Sequence, residues 1–375
     1  MLRSSFILSG FAFAAMALAA CGGGDDTNNS GGGGSGGGAG GAGGAGGSTS
    51  TDKPITPPDP PAETPGDGPG AVLAIHKLYL GDTDREDKPS TSAWKKFGYD
   101  LDGKISTKDS KDLCKPAEGA KPSDVYPDGD LGIDNSFGAN ILPIILPLAM
   151  DASTQINESI DSGSFTIMLS MEGVGTGDNY NPLLTKLYGG AKLVDGAGTE
   201  ITPKWDGSDE WPVIPELLNG GNIDNPIVQF SKSYVVKNGA ARTWVSGSAA
   251  DLKLNLSIAG FTLSLTIGSA LISADLSGDN KKATNGTIAG ILDTEQLISE
   301  LAKVAGSFDP SLCPPSATFE SIAQQIRQAS DVLVTGGQDP TKTCDGISIG
   351  LGFDMDAVKL GVVAPVAPEM PGPCD

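Results

Sequence analysis

Acidic side chains alternate with other residues in the stretch GYDLDGKISTKD, residues 98–109. Asp100 and Asp102 stand two residues apart, and Ser106 and Asp109 follow in the same loop. Alternate carboxylate, hydroxyl and carbonyl oxygens on a sharply turning loop can surround a hard divalent cation, and a glycine permits the turn. The spacing therefore predicts a loop that binds a cation through oxygen.

This stretch resembles the calcium loop of EF-hand and dockerin modules. The resemblance implies oxygen ligands from Asp100, Asp102, the Lys104 carbonyl, Ser106 and Asp109. It also implies that Ile105 is a buried anchor. The loop departs from the family at its first position, where Gly98 stands in place of a carboxylate. A solvated turn without metal is the more usual interpretation of such a loop, and we expect any calcium held here to be structural rather than catalytic.

A second acidic stretch, DGDLGIDN at residues 128–135, supplies Asp128, Asp130 and Asp134. It either completes the calcium site that the first stretch begins or forms a plain Asp-Gly turn.

Acidic side chains lie between two tryptophans in KWDGSDEWP, residues 204–212. Paired carboxylates such as Asp206 and Asp209 can hydrolyse glycosides, and the same acids beside Trp205 and Trp211 can bind sugars. A tryptophan that anchors a surface loop is the third interpretation, and this pattern most often indicates it.

Nucleophilic catalysis has little support in the sequence. His76 is the only histidine, and it lies in an apolar run, so a Ser-His-Asp or Cys-His device would depend on that one residue. We expect His76 to be a packed or surface residue, and no catalytic activity is evident.

The N-terminus has the layout of an export signal over residues 1–20: one early arginine, an apolar run and small residues before Cys21. The sequence LAAC resembles the lipobox of bacterial lipoproteins, which implies acyl chains on Cys21. Gly22 follows, which in that family implies the outer membrane. The alternative is an ordinary signal peptide that ends near a cysteine.

The composition changes twice along the chain. Residues 22–47 are nearly all glycine, and residues 54–69 are rich in proline. We therefore predict a flexible, disordered tether over 21–70 and a single folded domain over 71–375.

The formal net charge is -21, with a pI near 4.3. A chain this acidic repels nucleic acid and anionic lipid surfaces. The predicted membrane contact is therefore through the lipid anchor only, and the remaining partners are glycans, envelope components or proteins.

Four cysteines besides Cys21 remain in this exported chain, and an even number favours two disulfides. Three pairings are open. We favour Cys313 with Cys344, which would fasten an intervening helix, and Cys114 with Cys374. The single histidine and the lack of a CxxC motif argue against zinc.

Apolar and polar residues alternate with the two-residue period of a half-buried strand in several runs. The predicted strands cover 71–80, 164–174, 225–236, 243–278, 283–293 and 345–361. Gly260 predicts a tight hairpin turn within the fourth run. Helices are predicted over 294–307, with Asp293 or Thr294 as the N-cap, and over 317–333. An irregular helix is predicted over 136–161, where Pro143 and Pro147 interrupt it.

These patterns predict a mainly β protein, a β-sandwich or jelly-roll-like body with a few inserted helices. The succession of DLDG, DGDLGIDNSFG, GTGDNYNP, WDGSDEWP and NGTIAGILDTEQL resembles a family of uncharacterised predicted lipoproteins of Gram-negative bacteria. We expect an outer-membrane-anchored lipoprotein with a binding or envelope-structural role, with a carbohydrate-binding or carbohydrate-active domain and a lipid-handling module as alternatives.

Overall fold

The computed structural model of the chain describes residues 53–147, 152–258, 261–366 and 373–374. All of them belong to one folded unit, Thr51–Asp375. The predicted export signal, Cys21 and the glycine-rich tract lie outside the described residues. No helix in the described part of the chain has the length and apolar character needed to cross a bilayer.

The predicted mainly β body with inserted helices is confirmed. The strands are β1 (Ala71–Tyr79), β2 (Thr166–Glu172), β3 (Tyr180–Gly190), β4 (Glu210–Val213), β5 (Gln229–Asn238), β6 (Ala241–Val245), β7 (Ala250–Ile258), β8 (Phe261–Leu276), β9 (Lys282–Asp293), β10 (Gly346–Ala357) and β11 (Lys359–Val363). The α-helices are α1 (Pro122–Val125), α2 (Leu142–Ile145), α3 (Ala152–Asp161), α4 (Thr294–Phe308) and α5 (Ala317–Gln328). Short helical turns cover Ala93–Lys96, Asp130–Gly132, Phe137–Ile141, Pro215–Leu217, Asn219–Gly221 and Pro310–Leu312.

Eight strands form a closed ring in the order β3, β2, β1, β10, β9, β8, β6 and β5. Every neighbouring pair in the ring is antiparallel. The ring closes because β5 pairs with β3, where Tyr180 lies opposite Val235. The predicted β-sandwich or jelly roll would have two facing sheets, but the β3–β5 pairing joins the strands into one. The remaining strands lie outside the ring: β7 pairs with β8, and β4 pairs in parallel with β11.

The core of the domain is an apolar cluster to which all eight ring strands contribute, as the two-residue alternation predicts. Representative members are Leu73, Leu169, Leu183, Phe230, Trp244, Ile272, Ile288 and Leu351. Strand β10 carries a glycine, Gly350, at a position where a Cβ would collide with the Phe97 carbonyl oxygen. The absence of a side chain at Gly350 lets the long β1–β2 connection lie directly against the ring.

Helix α4 begins at the predicted N-cap. Asp293 caps α4 by accepting a hydrogen bond from the Gln296 amide at 2.9 Å. Helix α5 ends at Gln328, five residues before the predicted end at residue 333, so Asp331 lies beyond the helix. The predicted irregular helix over 136–161 is divided into the Phe137–Ile141 turn, α2 and α3, and residues 148–151 lie outside the described ones.

The predicted hairpin is also present, although Gly260 itself lies outside the described residues. Strands β7 and β8 are antiparallel neighbours, with Ile258 opposite Phe261.

The predicted disulfide pairing is wrong. Cys114 pairs with Cys344 and Cys313 with Cys374, at Cα–Cα distances of 5.2 and 5.3 Å. The Lys115 amide donates to the Lys342 carbonyl, and the Lys115 carbonyl accepts from the Cys344 amide. These bonds place Cys114 beside Cys344, a contact that sequence spacing does not reveal.

The predicted tether is too long, because residues 53–70 lie on the folded unit. We call this segment the strap. Its carbonyls accept hydrogen bonds: Tyr234 donates to Pro58 O at 2.5 Å, and Asn181 Nδ2 donates to Pro61 O at 2.6 Å. Thr64 forms a two-way backbone bridge with Asn181 at 2.7 Å. A proline-rich segment has little conformational entropy to lose, so a few carbonyl acceptors suffice to dock it.

Candidate metal centre

Three carboxylates meet where the β1–β2 connection folds back on itself. One oxygen from each of Asp100, Asp102 and Asp134 lies within 4.8 Å of the others. We call this cluster of three carboxylates the acidic centre. Asp100 and Asp134 are buried, and Asp102 is partly buried. The two acidic stretches that the sequence singled out therefore converge on one place.

The first loop is shaped by its own carboxylates. Asp100 Oδ1 accepts hydrogen bonds from the Gly103 and Lys104 amides at 2.7 and 3.1 Å. Asp102 Oδ1 accepts from the Lys104 amide at 2.9 Å. Gly103 has a φ of +79°, which a residue with a Cβ rarely adopts, so the glycine is needed for the turn.

The second loop is bonded to the first. Asp134 Oδ2 accepts hydrogen bonds from the Leu101 and Asp102 amides at 2.6 and 3.3 Å. The Asp128 carboxylate accepts from the Ser106 amide. Asp134 thus brings to the centre a carboxylate that the first loop lacks at Gly98.

Ser106 supplies an observation that is independent of the carboxylates. The residue is only 7% exposed, and its Oγ has no hydrogen-bond partner in the described part of the chain. Its backbone amide donates a hydrogen bond to the Asp128 carboxylate, which links it to the second acidic loop. A buried hydroxyl without a partner is costly, so its oxygen is suited to a ligand that arrives from outside the chain.

Two further side chains, Asp331 and Gln338, lie near the three carboxylates, and neither is a predicted site residue. Asp331 is buried and accepts hydrogen bonds from the amide and the hydroxyl of Ser348 at 2.8 and 2.5 Å. Gln338 donates to Asp102 Oδ2 at 2.8 Å and accepts from the Cys114 amide at 2.8 Å. In the sequence, Asp331 is the one acidic residue of the mostly apolar stretch ASDVLV. The helix predicted over 317–333 included it, so it was not considered as a site residue.

Burial makes the negative charge of this cluster unfavourable. It raises the pKa of Asp128 to about 8 and the pKa of Asp331 to about 7, and the neighbouring carboxylates add to both shifts. Burial also raises the pKa of Asp134 well above its ordinary value, again with the repulsion of Asp102 and Asp331. Burial also raises the pKa of Asp100.

No basic side chain neutralises the cluster within the described residues. Lys104, the nearest in sequence, directs its Nζ to Asp112 instead. The ion pairs of the described chain involve none of the five buried or partly buried acids Asp100, Asp102, Asp128, Asp134 and Asp331. A bound divalent cation would reverse this imbalance of charge.

Three residues of the two acidic stretches do not take the positions predicted for them. Asp109 and Asp130 are exposed and do not join the three converging carboxylates. Ile105 is 45% exposed, so its predicted role as a buried anchor is wrong. The loop follows Asp100 and Asp102 in the expected way, but its later part turns toward the second acidic stretch rather than into a helix.

The donor set favours calcium among common cations. It consists of carboxylate oxygens and one hydroxyl on flexible loops, which suits the six to eight oxygen ligands that Ca²⁺ prefers. Zinc prefers nitrogen and sulfur ligands, and all four cysteines of the domain are in disulfides.

In the loop 204–212, most of the polar side-chain groups form hydrogen bonds with the protein backbone. Trp211 is fully buried, and its Nε1 donates to the Ala191 carbonyl. Asp209 is buried and accepts from the Lys204 and Trp205 amides at 3.0 and 2.8 Å. Asp206 is exposed, and its hydrogen bonds with Ser208 lower its pKa. Four predicted ligand-binding residues are therefore neighbours, but only Asp206 is exposed.

His76 belongs to the same surface. Its ring centroid lies 5.3 Å from that of Trp205, which in turn lies 5.3 Å from Trp211. His76 Nδ1 is 2.8 Å from Asp356 Oδ2, an ion-pair distance without the alignment of a hydrogen bond. This histidine has no cysteine or serine nucleophile among these contacts.

A separate cavity of about 390 Å³ opens where β2 begins and β3 ends. Apolar side chains of Phe165, Ile167 and Leu187 line it, and Lys253 of β7 lies at its wall. Lys253 is exposed and forms no ion pair with a described residue.

Comparisons of this chain with protein-family models, curated proteins and solved structures find no match.

Proposed function

We propose that this protein is an outer-membrane-anchored lipoprotein whose β-rich domain has a binding or envelope-structural role and is stabilised by calcium. The proposal combines two independent sources of support. The LAAC motif and Gly22 favour a lipid-anchored, exported chain. The acidic centre favours calcium as the resident cation.

The observation that carries the calcium assignment is the convergence of the Asp100, Asp102 and Asp134 carboxylates, and the buried Ser106 hydroxyl of the first loop, which hydrogen-bonds to no described residue, supports it. Like charges that are buried together destabilise a fold unless protons or a cation compensate them. A calcium ion would join the two acidic loops and hold the β1–β2 connection against the ring. We expect a Kd on the order of 10⁻⁴ M, in the range of extracellular calcium modules.

Calorimetric titration of the purified chain with CaCl₂, together with thermal unfolding in calcium and in chelator, tests this function. The variant Asp134→Asn removes a charge from the centre, and Asp109→Asn is the matched control because Asp109 is exposed outside it. We expect calcium to raise the Tm of the parent protein and of the control, and to have little effect on Asp134→Asn. A Tm of the parent protein that is the same in calcium and in chelator would contradict the proposed calcium binding.

A second function, lipid handling, is supported by the cavity beside Phe165. Its volume of about 390 Å³ falls in the range of small-molecule sites, and an exposed lysine beside an apolar wall suits a fatty-acid carboxylate. Native mass spectrometry with dodecanoate tests it. We expect one bound equivalent, weakened by Lys253→Glu and unaffected by Lys232→Glu on β5. Equal binding by both variants, or none by the parent, would exclude this site.

A further inference from the structure

The strap begins at the acidic centre. The Ile55 amide donates to the Leu131 carbonyl at 3.0 Å, and the Ile55 carbonyl accepts from the Asp100 amide at 2.9 Å. Leu131 belongs to the second acidic loop and Asp100 to the first. One residue of the strap therefore bridges the two loops whose carboxylates form the centre.

The remaining contacts of the strap lie away from the centre. Pro58 and Pro61 accept hydrogen bonds from Tyr234 and Asn181, which belong to β5 and β3. Asp67 accepts from the Tyr180 hydroxyl at 2.8 Å. The strap thus runs from the acidic loops to the seam where β3 and β5 close the ring, and it is held independently at each end.

The strap is also the only covalent route from Cys21 to the domain. Whatever fixes Ile55 fixes the point at which the chain leaves the folded unit toward its anchor. The two loops that hold Ile55 carry the carboxylates of Asp100, Asp102 and Asp134, whose oxygens lie within 4.8 Å of one another, so the loops repel each other when no cation lies between these carboxylates. Ile55 can bond to both loops only while they stay together.

We propose that the calcium centre is a clasp for the strap, so that calcium occupancy fixes the exit of the membrane tether at the acidic loops. This inference rests on the proposed calcium function. With calcium bound, the loops are joined and Ile55 is held between them. Without calcium, the loops separate, Ile55 is released, and the exit moves toward the next contacts at Pro58 and Pro61. A release of residues 53–57 lengthens the tether by about 15 Å, at roughly 3.3 Å per residue.

The coupling must act in both directions, because linkage between two binding events is reciprocal. If calcium strengthens the hold on Ile55, then the hold on Ile55 strengthens calcium binding. The variant Ile55→Pro lacks the amide that donates to Leu131 but keeps the carbonyl. We expect its Kd for calcium to rise about 3- to 10-fold, the value of one hydrogen bond.

Hydrogen exchange in the full mature chain measures the direct effect. Within residues 54–58, PITPP, only Ile55 and Thr56 carry an amide hydrogen. The Ile55 amide donates to Leu131, whereas no backbone carbonyl of a described residue accepts from the Thr56 amide, so the slow hydrogen of this peptide reports on Ile55. We expect calcium to slow its exchange at least 10-fold, while the Thr64 amide, bonded to Asn181 at 2.7 Å, exchanges equally with and without calcium.

The matched control for the variant is Thr56→Pro, which should keep the parental Kd. Calcium binding with unchanged exchange at Ile55 and unchanged affinity in Ile55→Pro would overturn the clasp and leave the calcium function intact. An absence of calcium binding in the parent protein would overturn both.

Discussion

Asp102 Oδ2 accepts a hydrogen bond from Gln338 Nε2 at 2.8 Å, across a separation of 236 residues. Gln338 in turn accepts from the Cys114 amide, beside the Cys114–Cys344 disulfide. The acidic centre is therefore held by the β1–β2 connection and by the segment between α5 and β10 together. Groups that orient metal ligands in this way influence affinity although they do not bind the metal.

Replacing Gln338 with alanine should weaken calcium binding about 10-fold, because Asp102 loses the partner that orients it. Gln325→Ala is the control, since Gln325 is exposed on α5 and donates to its own helix at Ser321. Calorimetry on both variants measures the difference. Equal affinities would show that Asp102 needs no support from Gln338.

Calcium affinity and metal-free stability should depend on pH in opposite directions. Burial raises the pKa of Asp128 to about 8 and that of Asp331 to about 7, above the ordinary 3.8. The metal-free native state then holds more protons than the unfolded chain, so its stability is greatest in acid and falls as the pH rises through the folded pKa values. Calcium replaces these protons, so its affinity rises over the same interval.

Thermal unfolding at pH 5 and pH 8, in chelator and in calcium, measures both effects. We expect a lower Tm at pH 8 in chelator, and a larger increase on adding calcium at pH 8 than at pH 5. A calcium effect that is equal at the two pH values would contradict the assignment of these carboxylates to the centre.

The two disulfides should differ in their effect on calcium. Removing Cys114 and Cys344 with alanine should cost stability of about 2 to 4 kcal/mol and also weaken calcium binding, because the bridge lies beside Gln338. Removing Cys313 and Cys374 should reduce stability without changing the Kd. Peptide mapping of the unreduced protein verifies the pairing, and a Cys313–Cys344 peptide would contradict the fold described here.

Gly350→Ala should destabilise the domain by about 1 to 3 kcal/mol, because its Cβ meets the Phe97 carbonyl and pushes the β1–β2 connection off the ring. Gly196→Ala is a suitable control, since no atom lies within 4 Å of a Cβ at that position. Chemical denaturation compares the two. A Gly350→Ala protein as stable as the control would show that the connection does not depend on this contact.

Lipidation at Cys21 should be visible in the mature protein. Mass spectrometry of protein from Gram-negative membranes should show a chain that begins at residue 21 and carries acyl groups. Cys21→Ser should shift the protein from the membrane to the soluble fraction, and Ser30→Ala should leave it in the membrane. An unmodified Cys21 in the mature chain would remove the anchor from the proposal.

Local patterns predicted most of the strands and helices of the described chain, but not β3 and β4. The alternation in 243–278 produced β6, β7 and β8, and Asp293 correctly marked the start of α4. Strand β3 was missed because Pro182 and the glycines at its end conceal its alternation. That strand matters most for the architecture, since its pairing with β5 closes the ring.

The candidate centre was predicted in part, for a physical reason. Asp100 and Asp102 occur in a local spacing that sequence can show, and Asp134 could be proposed as a neighbour. Asp331 and Gln338 come to the centre from some 200 residues away, which no local pattern encodes. The strap was misread for a similar reason, because a proline-rich composition indicates stiffness but does not show the carbonyl acceptors that dock it.

The most direct test of the calcium centre is anomalous X-ray diffraction from crystals of the protein grown in calcium. We expect a single strong peak between Asp100, Asp102 and Asp134, with oxygen distances of about 2.3 to 2.6 Å and with Ser106 beside it. No peak at this position in saturating calcium, with the three carboxylates unchanged, would contradict the account.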